Sequence, residues 1–378
     1  MAGGVLTFLF HPEEFLFRVA DPAAPPRSVN QLVIEARKAA EFGKPLAASL
    51  MQALARVLPQ ARPLFDTIEN WPGDLASDGV IFRLNAGLHA IAMAGRAGPL
   101  ARLYGVEGPP EAVPPGELDT ALLAVLVREA QELHGWLSHP TQTNEVARVA
   151  GLVAALLELG REQALPCEVL ELGASAGLNL NFPHYAVRLG SQAACAHDSA
   201  VTLVPEWRGR AVPAGSLDIR ATRGVDLHPL DVGNRAHRGS LRAYVWPGET
   251  ARAARLEAAI GIARRCPPKV EAGLASDWLS YRLAAPQPEG VRRAVFHSMV
   301  LQYADAAERA AIDAAFARAG ALATRNRPLA RISIEWGPDR RAVELRIARW
   351  DGASLQGEPH LAAVCHPYGE WIDWYGLD

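Results

Sequence analysis

Apolar residues recur at three- and four-residue spacing through most of the first 165 positions. EFLFRVA (14–20), SVNQLVIEARKAAEF (28–42), PLAASLMQALARVL (45–58), VIFRLNAGLHAIAMAG (80–95) and LDTALLAVLVREAQELHGWL (118–137) each predict an amphipathic helix. Pro45 opens one of them, and Ser28 and Asp119 are placed to cap two others. No stretch before residue 167 alternates as a strand does. The proline- and glycine-rich run 105–116 reads as a loop within this helical part.

After Pro166 the pattern changes. CEVLEL (167–172) is a short buried-strand run, and it drops into GASAGLNLNF (173–182), which reads as a glycine-rich turn opening a helix. Further strands are expected at 218–227, 268–273, 293–301, 329–336, 342–350 and 360–366, with helices at 249–265 and 304–322. Strands alternating with helices imply a parallel sheet, and three late strands joined only by loops imply an antiparallel edge. The expected architecture is therefore α/β. A Rossmann-like, mainly parallel sheet is expected over 146–378, and an all-helical lid over 1–145.

Composition narrows the partners. The 378 residues carry 38 basic and 41 acidic side chains, a net charge of −3, so no basic excess advertises nucleic acid or an anionic membrane. Cys167, Cys195, Cys266 and Cys365 form no CxxC pair, which removes the usual zinc and dithiol motifs and fits a reducing cytoplasm. The apolar run Val5–Phe10 is too short for a secretory core, and no run is long enough to span a membrane. No metal is expected, since His134 and His139 stand apart from other ligands.

The chemistry-bearing stretch is the turn after the first strand. Glycines there let backbone approach a ligand, and a following helix would aim N–H groups at it. In one reading Glu171, Gly173, Ala174, Ser175, Gly177 and Asn179 form the acidic, glycine-rich turn that binds S-adenosylmethionine. In the other, Gly173-Ala-Ser175-Ala-Gly177 is a G-x-S-x-G nucleophile elbow, with His360 or His366 completing a triad. An elbow follows the middle strand of its sheet, whereas helices precede this turn, so the cofactor reading fits the context better.

TQTNEVARVAGL (141–152), LELGASAGLNL (170–180), RGVDLHPLDV (223–232), VWPGETARAARLEAAI (245–260), the Ser276–Leu279 run and VFHSMVLQY (295–303) together resemble the landmarks of bacterial domain-of-unknown-function family 2332. The resemblance covers nearly the whole chain and implies a fold similar to class I methyltransferases. One departure is visible: family members continue LNL with an Asp-Arg-Tyr-like run, where this chain has Asn181-Phe-Pro183-His184-Tyr185.

Other candidates follow from position along the expected strands. Asp226, ending the second strand, is placed to bind ribose hydroxyls, or merely to cap a turn at Pro229. Asp277 and Trp278 follow the third strand, where an acid and an aromatic would contact adenine; a helix cap and a core residue are the plain alternatives. His297 and Tyr303 stand at the fourth strand as catalytic candidates, His297 as general base or as a buried, satisfied histidine. Gln302 beside them, and Gln142, Asn144 and Glu145 ahead of the first strand, are candidates to line an acceptor pocket. The charged run 238–255 reads as a solvated helix face. With no Asn-Pro-Pro-Tyr type motif, the expected acceptor is a small molecule rather than a nucleic-acid base. Methyl transfer from S-adenosylmethionine is the leading expectation, beside a serine hydrolase using Ser175 or a non-catalytic binding protein on the same scaffold.

Overall fold

The computed structural model describes residues 25–352 and 356–377; the helix expected at 14–20 lies outside them. Eight α-helices precede the first strand among the described residues: α1 (Arg27–Glu41), α2 (Pro45–Val57), α3 (Arg62–Glu69), α4 (Val80–Met93), α5 (Pro99–Tyr104), α6 (Pro115–Arg128), α7 (Ala130–Ser138) and α8 (Val149–Gly160). The first seven share a core of their own, built from residues such as Leu54, Leu84, Leu88, Leu122 and Leu126. The single helix expected over 118–137 is broken at Glu129 (φ −104°, ψ 21°). The break lets α7 turn Leu133 and Trp136 onto Gly87 of α4, where even a methyl group would collide.

Neither expected cap forms. Pro26 and Pro114 occupy the cap positions of α1 and α6, with φ preset for a helix start. Ser28 instead donates through Oγ to Glu69, 2.5 Å away, and Asp119 pairs with Arg56 at 2.8 Å.

Twelve strands are β1 (Cys167–Leu172), β2 (Ala186–Leu189), β3 (Gln192–Cys195), β4 (Thr202–Leu203), β5 (Glu206–Gly209), β6 (Ile219–Asp226), β7 (Val270–Ala272), β8 (Arg292–Ser298), β9 (Leu329–Trp336), β10 (Val343–Trp350), β11 (His360–Cys365) and β12 (Trp371–Trp374). Nine form one sheet in the order β5-β12-β11-β10-β9-β8-β1-β6-β7. Its β7-β6-β1-β8-β9 half is parallel throughout. Numbered in chain order, these five strands read 3-2-1-4-5, so the direction of winding reverses between β1 and β8. The strands β10, β11 and β12 form the antiparallel meander, with β5 added parallel to β12 at the edge.

Burial follows topology. β1 and β8 are central and buried on both faces, which is why they read as continuous apolar runs. α8 is buried on every side from Val149 to Leu159, and Gly151 lets it press against Ile334 and Leu345 of the sheet. The remaining helices, α9 (Arg235–Ala243), α10 (Thr250–Arg265), α11 (Ala275–Ala284) and α12 (Ala306–Gly320), lie between the parallel strands in sequence.

One expected element differs in kind. No α-helix follows the glycine turn; Leu178–His184 is a 3-10 helix. Pro183 lacks an N–H and cannot extend an α-helical ladder, and Tyr185 is already extended (φ −96°, ψ 144°). The chain then spends the long gap before β6 on the small sheet β3-β2-β4 and on β5.

Candidate functional site

The turn at the end of β1 is fixed by its neighbours. Ala174 donates its N–H to Val225, and its methyl group fills the space that a side chain on Gly224 would need. Gly173 (φ 67°), Ser175 (φ 54°) and Gly177 (φ 70°) all take left-handed conformations. Asp226, ending the neighbouring β6, accepts the Ser175 N–H at 2.8 Å through Oδ2 and the His228 N–H at 2.9 Å through Oδ1. The second strand's acid thus holds the first strand's turn. A methyl group on Gly173 would sit 2.4 Å from Val300 Cγ2. Gly173→Ala is therefore expected to lower stability by about 1–3 kcal/mol through a strained φ and this contact, read as a shift in the urea midpoint; an unchanged midpoint would contradict the close approach of turn and loop.

A cavity of about 330 Å³ opens over this turn. It is walled by Gly173, Ser175 and Asn179, by residues 225–228 after β6, 273–275 after β7 and 298–301 after β8. All of these lie at carboxyl ends of parallel strands, beside the point where winding reverses, which is where open α/β sheets bind ligands. Backbone strain gathers here: Asn144 (φ 36°), Ser175 and Met299 (φ 56°) all line the cavity. Two of the lining residues also carry buried polar atoms without a hydrogen-bond partner, Ser175 Oγ and Asn179 Oδ1. Buried polar atoms are seldom left unpaired without a functional reason.

Beneath the turn, Glu171 is buried and does not reach the cavity. Its Oε1 accepts from Asn179 Nδ2 at 2.8 Å. Burial, against the opposing effect of that hydrogen bond and with help from Asp226, pushes its pKa up to about 8. At neutral pH the carboxyl is mostly protonated, so it carries a donor beside the amide it already meets. Glu171, Ala174 and Gly177 support the turn; Gly173, Ser175 and Asn179 present its surface.

A family model described as an uncharacterized protein conserved in bacteria (DUF2332) matches residues 29–374. The chain belongs to that family. No curated protein and no solved structure matches it significantly. Several blocks that carry the family likeness converge on the cavity: 140–145, 173–179, 225–228 and 298–304 all contribute to its wall.

Other sequence-predicted residues are placed differently. His297 is fully buried in β8, with Nδ1–H donating to Glu335 at 2.7 Å and Nε2 accepting from Arg331 at 3.0 Å. Burial holds its pKa below the ordinary histidine value despite Glu335. Both ring nitrogens are thus engaged, and His297 is not part of the cavity wall. Its partner Glu335 also accepts the Val300 N–H at 3.1 Å, so the pair positions the loop after β8. Tyr303 is exposed and lines this cavity together with a smaller one.

Glu145 is not a free pocket acid. It caps the 3-10 turn Val146–Arg148 by accepting the Ala147 N–H at 3.0 Å, and it binds Arg252 at 2.6 Å and Arg255 at 3.0 Å. Those arginines correct the solvated reading of 238–255, since Arg252 is buried and also holds Glu249 at 2.6 Å. Gln142 lines the cavity, with Nε2 3.4 Å from Asp226 Oδ1, and Asn144 accepts the Leu178 N–H through Oδ1 at 3.3 Å.

Asp277 is exposed in the first turn of α11, outside the cavity wall, and Trp278 packs in a core cluster with Leu170 and Val295. The wall there is apolar instead: Leu227 and Leu274, both more than half of the way to full exposure or at its midpoint (55% and 50%), face the opening. Exposed leucines after two adjacent strands are a signal that sequence reading passed over. The proposed triad does not assemble either. His360 and His366 belong to β11 and its end, separated from β1 by β10, β9 and β8, and Ser175 Oγ has no partner. Among the described residues no three His, Cys, Asp or Glu side chains group as a metal site, and no helix is long and apolar enough to cross a membrane.

Proposed function

We propose that the chain transfers a methyl group from S-adenosylmethionine to a small molecule, on a Rossmann-like domain of the methyltransferase type covered by the N-terminal helices. The observation that carries this reading is the glycine turn: it ends the first parallel strand, borders a cavity at the reversal of winding, and holds strained left-handed backbone against that cavity.

The residues fit the donor. Gly173 and Ser175 bring left-handed backbone to the amino-acid portion. Asp226 keeps acceptor capacity for ribose hydroxyls beyond the two N–H groups that it holds. Leu227 and Leu274 give the wall apolar surface suited to adenine, in place of the acid and tryptophan expected from sequence. When bound, the donor supplies an electrophilic sulfonium methyl. The chain's part is to hold donor and acceptor in line and to keep water out. Gly79, Thr141 and Tyr303 close the helical side: Thr141 Oγ1 and the Tyr303 hydroxyl both crowd the position of a Gly79 side chain. The antiparallel meander, with β10 directly beside β9, is the part of the sheet least like that fold.

Isothermal titration with S-adenosylmethionine and S-adenosylhomocysteine is expected to give saturable, one-to-one binding. A folded chain that shows neither heat nor thermal shift with either compound would overturn the proposal.

A further inference from the structure

The helical layer contributes two opposite charges to the wall of the larger cavity. Asp78, just ahead of α4, and Arg83, in its first turn, both line it and are both half-buried. They form no ion pair with each other or with any other described residue. Each is tied to the same indole instead. The Trp71 N–H donates to Asp78 Oδ2 at 2.7 Å, and the Arg83 guanidinium lies over the Trp71 ring, 5.4 Å from its centroid. Acid and base thus meet one aromatic side chain at different places, one at its edge and one over its face.

Each keeps one unused prong. Arg83 spends Nη1 on the Leu137 carbonyl at 2.9 Å, and Asp78 spends Oδ2 on the indole. Arg83 Nη2 and Asp78 Oδ1 hold no hydrogen bond among the described residues, and unlike Arg83 Nε neither is sealed away from solvent. A simple anion would complete Arg83 and leave Asp78 as it is; a simple cation would do the reverse. A group carrying both charges completes both, and it brings no net charge into a partly desolvated site.

We propose that Asp78 and Arg83 together receive an α-amino-acid group, its carboxylate on Arg83 Nη2 and its ammonium on Asp78 Oδ1. A guanidinium is the preferred donor to a carboxylate, and an ammonium brings three donors to an oxygen that has lone pairs to spare. Gly173 and Ser175 border the same cavity, so a ligand held here lies between the helices and the glycine turn. Two sources share this chemistry. One is the amino-acid end of the methyl donor, which makes the helical layer part of the donor site; the other is a free amino acid serving as acceptor. Either assignment rests on the function proposed above; the charge pair's preference for an amino-acid group does not.

Ligand-observed NMR titration of the full chain tests the site with two sets of probes. The first compares S-adenosylhomocysteine with 5′-methylthioadenosine, which lacks the amino-acid group. The second compares L-methionine with 3-(methylthio)propylamine and 4-(methylthio)butanoate, each of which lacks one charge. In at least one set the molecule with both charges is expected to bind tenfold or more tightly than its analogues. Arg83→Gln and Asp78→Asn should each bring that ratio below threefold. A preference in the nucleoside set places the group on the donor, and one in the methionine set alone places it on the acceptor. No preference in either set, or an unaltered ratio in both folded variants, would overturn the proposal, and the wild-type ratios decide it even where a variant fails to fold. Equal binding of the two nucleosides with no methionine preference would sink this proposal and leave the methyl-donor reading standing. A methionine preference with no nucleoside bound would do the opposite.

Discussion

Glu145→Ala is expected to lower the stability of the chain by about 3–5 kcal/mol, the usual cost of removing one partner from a buried ion pair. The carboxylate is 3% exposed and is shared by Arg252, Arg255 and the Ala147 N–H. Without it, Arg252 keeps only Glu249 within a buried site. The same network passes from Glu249 toward Lys44, at the start of α2, so its loss also loosens the seam between helices and sheet. Urea unfolding measures the effect, and Glu145→Gln, which retains an acceptor for Ala147, should fall between wild type and alanine. Acid sensitivity supplies the sign. Burial alone would raise the Glu145 pKa, but Arg252 and Arg255 outweigh it and hold the carboxyl below its usual range. Its contribution is therefore complete above the unfolded-state value and is lost as pH falls through the lower, folded one. The gap between wild type and Glu145→Gln should narrow below about pH 4; a gap that widens in acid would contradict this ionisation.

Asp226→Ala should weaken S-adenosylmethionine binding by at least about a hundredfold, or roughly 2.7 kcal/mol, on the function proposed here. Two effects combine. The Ser175 and His228 N–H groups lose their acceptor, which releases the strained turn, and the cavity loses the carboxylate proposed for the ribose. Asp226→Asn separates them: one amide oxygen still accepts an N–H, so the turn is better held while the charge is gone. Titration of both variants reads the result. An alanine variant within threefold of wild type would remove Asp226 from the donor site.

The sequence made the strand-forming half legible because apolar runs bounded by glycine and proline leave few alternatives. The runs at β1, β6, β9, β10 and β11 are strands within a residue of expectation, and β8 ends three residues earlier than expected. The short strands β2 to β5 and β12 were not visible, since two to four residues carry too little periodicity to separate from loop. The helix expected after the glycine turn failed at Pro183, a local signal that the motif's usual context overrode. At the site, Gly173, Ser175, Asn179, Asp226, Gln142 and Asn144 were legible because a strand end followed by glycine or acid is a local pattern, and all six border the cavity.

What the sequence determined by itself was therefore local: a helical first part, a strand–helix alternation, a glycine turn and the family likeness. Only the tertiary structure decided which charges are spent and which are free. His297 and Glu145 look available in sequence, but each is consumed by partners 34 to 110 positions away. Arg148 looks like one arginine among many, and becomes notable only because folding buries it, seats its Nε on the Pro367 carbonyl and brings Glu145 and Glu335 into its electrostatic reach. Pairing and desolvation depend on distances between remote segments, and a linear pattern does not contain those distances.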